Sequence, residues 1–219
     1  MDDPSLARDS HARALRALER INRMSRCAAQ MLPAVVLASR GRETVRLLDV
    51  ATGSGDVADD VALRARRLGI RVSLGLCDIS RTALEIAMER SLRAGVPAER
   101  FGLDVTTDGL PSGFDLATCS LFLHHLDRAR CITVLKSMGK AAKVVAVNDL
   151  RRTRRGIALA WAGSRVLSMS RIVHFDAVAS ARAAWTIDEL RSMATEAGLT
   201  GAHAVPAWPL RMALTWEQS

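Results

Sequence analysis

The feature that most constrains this chain is a regular alternation of short apolar runs with amphipathic helical stretches between residues 45 and 148. Residues 45–50, 71–77, 101–105, 114–120 and 142–148 read as strands. Residues 56–67, 82–94 and 127–138 read as helices, with Val57, Val61, Ala62 and Ala65 on one face of the first and Leu84, Ala87, Met88 and Leu92 on one face of the second. Strands separated by helices pair in parallel, and a parallel sheet is covered on both faces. The pattern therefore predicts an α/β fold with helices on both sides of the sheet.

The flanks differ. Residues 1–44 read as a helical cap of two helices, the second apolar and expected to kink or break at Pro33. The main domain is expected over 45–219, and within it residues 149–198 break the alternation. A last helix starts near Thr186, where Thr186 and Glu189 have the spacing of a capping box. Gly198 fits the left-handed position after the end of that helix. Late strands are expected at 201–205 and 211–216.

Composition narrows the class. The chain has 219 residues, 49% hydrophobic and 25% charged, which excludes a disordered or collagen-like polymer. A compact chain this long buries about 70% of its unfolded surface and needs no disulfide staples. No apolar run reaches the ~18 residues of a spanning helix. The N-terminus is acidic and polar, unlike a secretory signal. Cys27, Cys77, Cys119 and Cys131 form no C-x-x-C pair, so no metal site is expected and a cytoplasmic location is.

The sharpest local signal is Asp49-Val50-Ala51-Thr52-Gly53-Ser54-Gly55-Asp56, where a strand turns into a helix. The glycines let a ligand approach the backbone, and the helix start presents free N–H groups. Asp78 ends the next strand, where a carboxylate can accept from both hydroxyls of a ribose. Asp104 ends the third expected strand. Ligands of open α/β sheets bind at the carboxyl ends of the strands, so these acids should share one crevice. Gly53-x-Gly55-x-x-Ala58 also matches the dinucleotide fingerprint. Asp49, however, repels a pyrophosphate and attracts a cationic ligand. S-adenosylmethionine, with its sulfonium and ammonium, fits that crevice better than NAD.

On these residues the chain resembles the class I S-adenosylmethionine-dependent methyltransferases. Their acid-x-Gly-x-Gly-x-Gly pattern stands here as Asp49-x-Ala51-x-Gly53-x-Gly55, with alanine in place of the first glycine. The resemblance implies a Rossmann-like, seven-stranded, mostly parallel sheet with the last strand antiparallel. It implies S-adenosyl-L-methionine as methyl donor and S-adenosyl-L-homocysteine as product. Asp49, Ala51, Thr52, Gly53 and Gly55 would surround the methionine moiety. Asp78 would hold the ribose, with Ile79 against the adenine and Asp104 and Val105 at the adenine edge. Ser120 and Leu121 would close the far side. The stretch 114–126, which contains Leu123-His124-His125-Leu126, resembles the ubiquinone/menaquinone-biosynthesis methyltransferases. Residues 20–23, 148–152 and 170–176 are similar to bacterial methyltransferases associated with type III polyketide synthases. These narrower likenesses imply a phenolic or quinone-like acceptor; methyl transfer to oxygen is expected ahead of transfer to carbon, and both stay open.

A phenol needs a base, and histidine is the usual one. His124 and His125 follow the fourth strand; one is expected to face the crevice and the other to pack or cap. His174, two residues before Asp176, is the third candidate. The fourth strand lacks the Asn/Asp-Pro-Pro-aromatic motif of DNA amino-methyltransferases. The net charge of +8 is uneven: +3 over 1–45, +1 over 46–150 and +4 over 151–219. Residues 151–173 carry six arginines and no acid. In such proteins this region builds the acceptor side, so residues 151–171 offer a contact to an acidic acceptor, an acyl carrier or a membrane surface. The expected partner is a small-molecule acceptor rather than nucleic acid, and the oligomeric state is left open. An RNA methyltransferase using the basic segment, an NAD-dependent oxidoreductase and a non-catalytic binding protein remain the alternatives.

Overall fold

A computed structural model describes residues 26–153 and 179–218. Seven strands form one sheet in the order β3-β2-β1-β4-β5-β7-β6. They are β1 (Thr44–Val50), β2 (Arg71–Asp78), β3 (Ala98–Gly102), β4 (Phe114–Ser120), β5 (Ala142–Leu150), β6 (His203–Ala207) and β7 (Arg211–Glu217). Only β7 runs against its neighbours, β5 on one side and β6 on the other. The sequence expectation of a mostly parallel sheet with an antiparallel last strand is met.

Five helices that lie wholly within the described residues cover the sheet: α1 (Cys27–Ser39), α2 (Asp56–Arg66), α3 (Arg81–Ala94), α4 (Arg128–Ala141) and α5 (Ile187–Glu196). Helices α1, α2 and α3 bury Met31, Val35, Val61, Ala65, Leu84 and Ala87 against Leu47, Leu74 and Leu116 on one face. On the other, α4 and α5 bury Val134, Leu135, Met138, Leu190 and Met193 against Leu48, Val145 and Val147. Buried residues follow the helical period, which is what the amphipathic spacing required.

Local chemistry sets the helix starts. The Ser80 hydroxyl accepts from the Ala83 amide, and Asp127 accepts from the Arg130 amide. At α5 both halves of the capping box form: Glu189 N–H to the Thr186 hydroxyl, and Thr186 N–H to the Glu189 carboxylate. Gly198 has φ +86°, the left-handed conformation expected of it.

Four expectations are corrected. Helix α1 runs through Pro33 without a break; Pro33 faces solvent, where water can bond the carbonyl it leaves without a donor. Strand β3 lies three residues earlier than expected. It is an edge strand with a polar, exposed middle (Glu99 and Arg100), so it carries no apolar run to read. Strand β6 is likewise His203–Ala207 and contains Pro206, tolerated because this strand is the sheet's edge. Finally, β5 continues through Asp149 and Leu150, so Asp149 belongs to the sheet rather than to the segment after it.

Candidate active site

The strand pairing defines the site. Val50 pairs with Cys77 and with Cys119, Ser120 pairs with Asn148, and Asp78 pairs with Gly102. Across the sheet, Gly102, Asp78, Ala51, Ser120 and Asn148 therefore stand in one row at the carboxyl edge. Six of the eleven residues expected to bind cofactor lie within two positions of the β1 or β4 member of this row.

The β1–α2 turn is built for close backbone approach. Gly53 and Gly55 have φ +55° and +72°. A Cβ on Gly55 would fall 2.9 Å from the Cβ of Ala87, so the turn also depends on tight packing against α3. Ala51, where the family pattern has glycine, keeps a left-handed φ of +55°. That conformation costs a non-glycine residue about 1–2 kcal/mol. Leu121 after β4 and Leu210 before β7 are left-handed too, at +52° and +57°. Three strained non-glycine residues thus stand at the same sheet edge, and such strain clusters at functional sites.

The three expected acids differ in surroundings. Asp49 is only 3% exposed and accepts hydrogen bonds of 2.7 Å from the hydroxyls of both Thr52 and Thr118. Burial lifts its pKa from 3.8 to about 6, against the pull of those hydroxyls. Asp78 accepts from the Gly53 and Ser80 amides, one on each oxygen, both at 2.8 Å. A carboxylate oxygen has two lone pairs and can accept from more than one donor. Beside it the apolar side chain of Ile79 is 74% exposed. Asp104 is not at a strand end. It lies two residues beyond β3, where its Oδ1 accepts from the amide and hydroxyl of Thr106. The Thr106 hydroxyl, then its amide, hold the Asp104 carboxyl below its usual range. Val105 next to it is buried in the core.

The histidines separate. A 3₁₀ turn, Leu123–His125, follows β4. His124 is the packed member, 7% exposed, with Nδ1 2.6 Å from Asp149 Oδ1. Asp149 also accepts from the His124 and Leu150 amides at 3.2 and 2.6 Å. Being an acceptor to backbone N–H groups, this carboxylate takes the Nδ1 proton as its third donor. That fixes the tautomer and leaves Nε2 with a lone pair. No described residue is hydrogen-bonded to Nε2. His125 is exposed, its ring 4.1 Å from that of His124. His174 lies outside the described residues.

Sequence reasoning missed Asp149, Asn148 and Arg211. Asn148 Oδ1 accepts from Arg211 at 2.9 Å and from the Cys27 thiol at 3.4 Å, while its amide donates to Gln30 at 2.6 Å. Arg211 is 1% exposed, and burial lowers its pKa against the nearby carboxylates of Asp149 and Asp56. Consecutive polar residues, Asn148-Asp149, at the end of an otherwise apolar strand were the available signal. The thiols are not candidates for chemistry. Burial raises Cys27 to about 11 and Cys77 and Cys131 to about 12, and Cys119 is raised as well. Of the six arginines at 151–171, Arg152 is spent on Glu189 at 2.5 Å, and Arg151 pairs with Trp185 in a β-bridge. Arg154, Arg155, Arg165 and Arg171 lie outside the described residues.

The strand order, the single antiparallel strand and the glycine turn at the end of β1 define the class I S-adenosylmethionine-dependent methyltransferase fold. Residues 47–144 match the family described as a methyltransferase domain. It is 30% identical over 91 residues to the ubiquinone/menaquinone biosynthesis C-methyltransferase of Rhizobium meliloti, a match spanning 40% of this chain and 34% of that protein. A methyltransferase from Aquifex aeolicus, described as SAM dependent, superposes over the whole of both chains with a TM-score of 0.65 at 14% identity. An O-methyltransferase family 2 protein of Planctomyces limnophilus, solved with apigenin, gives a TM-score of 0.60 at 20% identity. That likeness covers 80% of this chain and 51% of the other. The chain thus spans about a third of the curated relative and half of the apigenin-bound protein. No helix among the described residues is long and apolar enough to cross a membrane.

Proposed function

We propose that the protein transfers a methyl group from S-adenosyl-L-methionine to an oxygen of a small aromatic acceptor, with His124 as general base. The observation that carries this reading is the His124–Asp149 pair at the carboxyl edge of β4 and β5, one strand away from the β1 turn.

The residues present fit the donor. Asp49 is a buried acid whose ionisation is opposed by burial, so a cation above the turn would be favoured. Asp78 offers two acceptor oxygens, and exposed Ile79 offers an apolar face beside them. When bound, S-adenosyl-L-methionine supplies an electrophilic methyl group. The protein's part is alignment, exclusion of water and removal of the acceptor's proton. Nε2 of His124 takes a phenolic proton, and Asp149 steadies the imidazolium through Nδ1, worth about 10²–10⁴-fold in rate. A phenol (pKa about 10) is mostly protonated near neutrality, so such a base matters for O-methylation.

The curated relative's name supports a quinone-type acceptor on carbon, whereas the apigenin-bound neighbour supports phenolic oxygen. The buried dyad favours oxygen. The test is transfer of labelled methyl from S-adenosyl-L-methionine to a phenol panel that includes apigenin, with mass spectrometry placing the methyl. Wild type is expected to label oxygen, and His124→Ala to lose at least 100-fold in rate while binding S-adenosyl-L-homocysteine normally. Labelling of carbon, or full activity in His124→Ala, refutes the assignment. We also propose that residues 151–171 meet the acceptor or its carrier; RNA binding at low salt would favour the RNA-methyltransferase alternative instead.

A further inference from the structure

The 3₁₀ turn that carries His124 is tied to the rest of the molecule through one carbonyl. Leu123 O accepts from the Trp185 indole Nε1 at 3.0 Å, from the Cys131 thiol at 3.2 Å and from the Leu126 amide at 3.1 Å. Leu123 is fully buried, so this carbonyl depends on those donors entirely. The indole is the strongest donor of the two side chains and comes from 62 residues away.

Trp185 also holds the other half of the dyad. Its carbonyl accepts from the Arg152 amide at 3.0 Å, and it forms a parallel bridge with Arg151. Arg151 follows Leu150, the end of β5, two positions after Asp149. Trp185 is itself fixed, because the next residue is the N-cap of α5 with a complete capping box. Arg152 adds a bond to Glu189 of that same box. The side chain of Trp185 therefore clamps the histidine's turn, and its backbone clamps the extension of the aspartate's strand.

We propose that Trp185 is a positioning residue that sets the alignment of His124 with Asp149. It acts through the Leu123 carbonyl on one side and Arg151–Arg152 on the other. The ring packs against the core, and the indole N–H adds a bond to the Leu123 carbonyl that a phenylalanine could not make. The inference rests on the reading of His124 as the base.

The test is Trp185→Phe in the full chain saturated with S-adenosyl-L-homocysteine, which keeps most of the ring and removes the donor. The readout is histidine-ring ¹H–¹⁵N NMR. Wild type should show one tautomer of His124, with a slowly exchanging Nδ1 proton. In Trp185→Phe that proton should exchange at least tenfold faster, with S-adenosyl-L-homocysteine affinity within twofold of wild type. The indole proton of Trp216, bonded to the Thr200 carbonyl, is the internal control and should not change. An unchanged His124 proton overturns the proposal. So does parallel loss of the Trp216 signal, which would mean general loosening. Full methyl transfer by His124→Ala would remove the base reading and this inference with it, whereas an unchanged His124 proton removes the inference alone.

Discussion

Replacing Asp49 by asparagine should make the protein more stable and a poorer binder of its cofactor. The carboxylate is buried, and burial lifts its pKa from 3.8 to about 6. Between those two values the folded chain holds a proton that the unfolded chain has released. Stability is therefore greatest at low pH and falls as pH rises from about 4 to about 6. Above that, the ionised group carries its whole burial penalty. A separation of about 2 pH units corresponds to about 3 kcal/mol. Asparagine keeps the shape, and since a hydroxyl both donates and accepts, Thr52 or Thr118 can turn to accept from the new amide. Urea denaturation of the cofactor-free protein at pH 5, 6, 7 and 8 is the assay. Asp49→Asn should gain up to about 3 kcal/mol at pH 7 to 8, and the gain should shrink steadily toward pH 5. Calorimetry should show weaker S-adenosyl-L-methionine binding in the same variant. A loss of stability of equal size at every pH would refute the reasoning, because the threonine bonds would then outweigh the cost of burial.

Two further outcomes test the turn and its neighbours. Asp78→Ala removes the acceptor for the Gly53 amide and the group proposed to hold the ribose hydroxyls, so S-adenosyl-L-homocysteine should bind at least about 100-fold more weakly by calorimetry, about 3 kcal/mol; unchanged affinity would contradict the site. Gly55→Ala places a methyl group 2.9 Å from the Ala87 Cβ at a left-handed φ, and should cost about 2–4 kcal/mol in denaturation. A loss below 1 kcal/mol would show that α3 can yield.

The glycine turn and the placement of Asp49 and Asp78 beside it were legible in sequence because their signals are local. A strand, a glycine turn and a helix start are consecutive, and the acids follow the apolar runs that precede them. The caps at Ser80, Asp127 and Thr186 are short-range hydrogen bonds of the same kind. Strand β3 was misplaced because an edge strand is polar, which also shifted the setting of Asp104. The His124–Asp149 pair could not be read from spacing. It depends on β4 and β5 being neighbours in register, with Ser120 beside Asn148, and on β5 running to Leu150. Arg211 was hidden for a similar reason. Its role comes from the antiparallel insertion of β7 beside β5, which sets Arg211 against Leu150.

That insertion has a consequence for how the site comes into being. The residues around the glycine turn and Asp78 all come from one stretch, 49–120, joined by successive strand–helix crossovers. The Asn148 network is instead stitched from residues 27 and 30 near one end of the chain and 211 near the other. During synthesis the donor side has every partner it needs once β4 and its neighbours have emerged. The Asn148 side waits for β7, which lies between β5 and β6. The glycine turn and Asp78 can thus be arranged by contacts within one stretch, whereas the Asn148 network forms only when the sheet is complete.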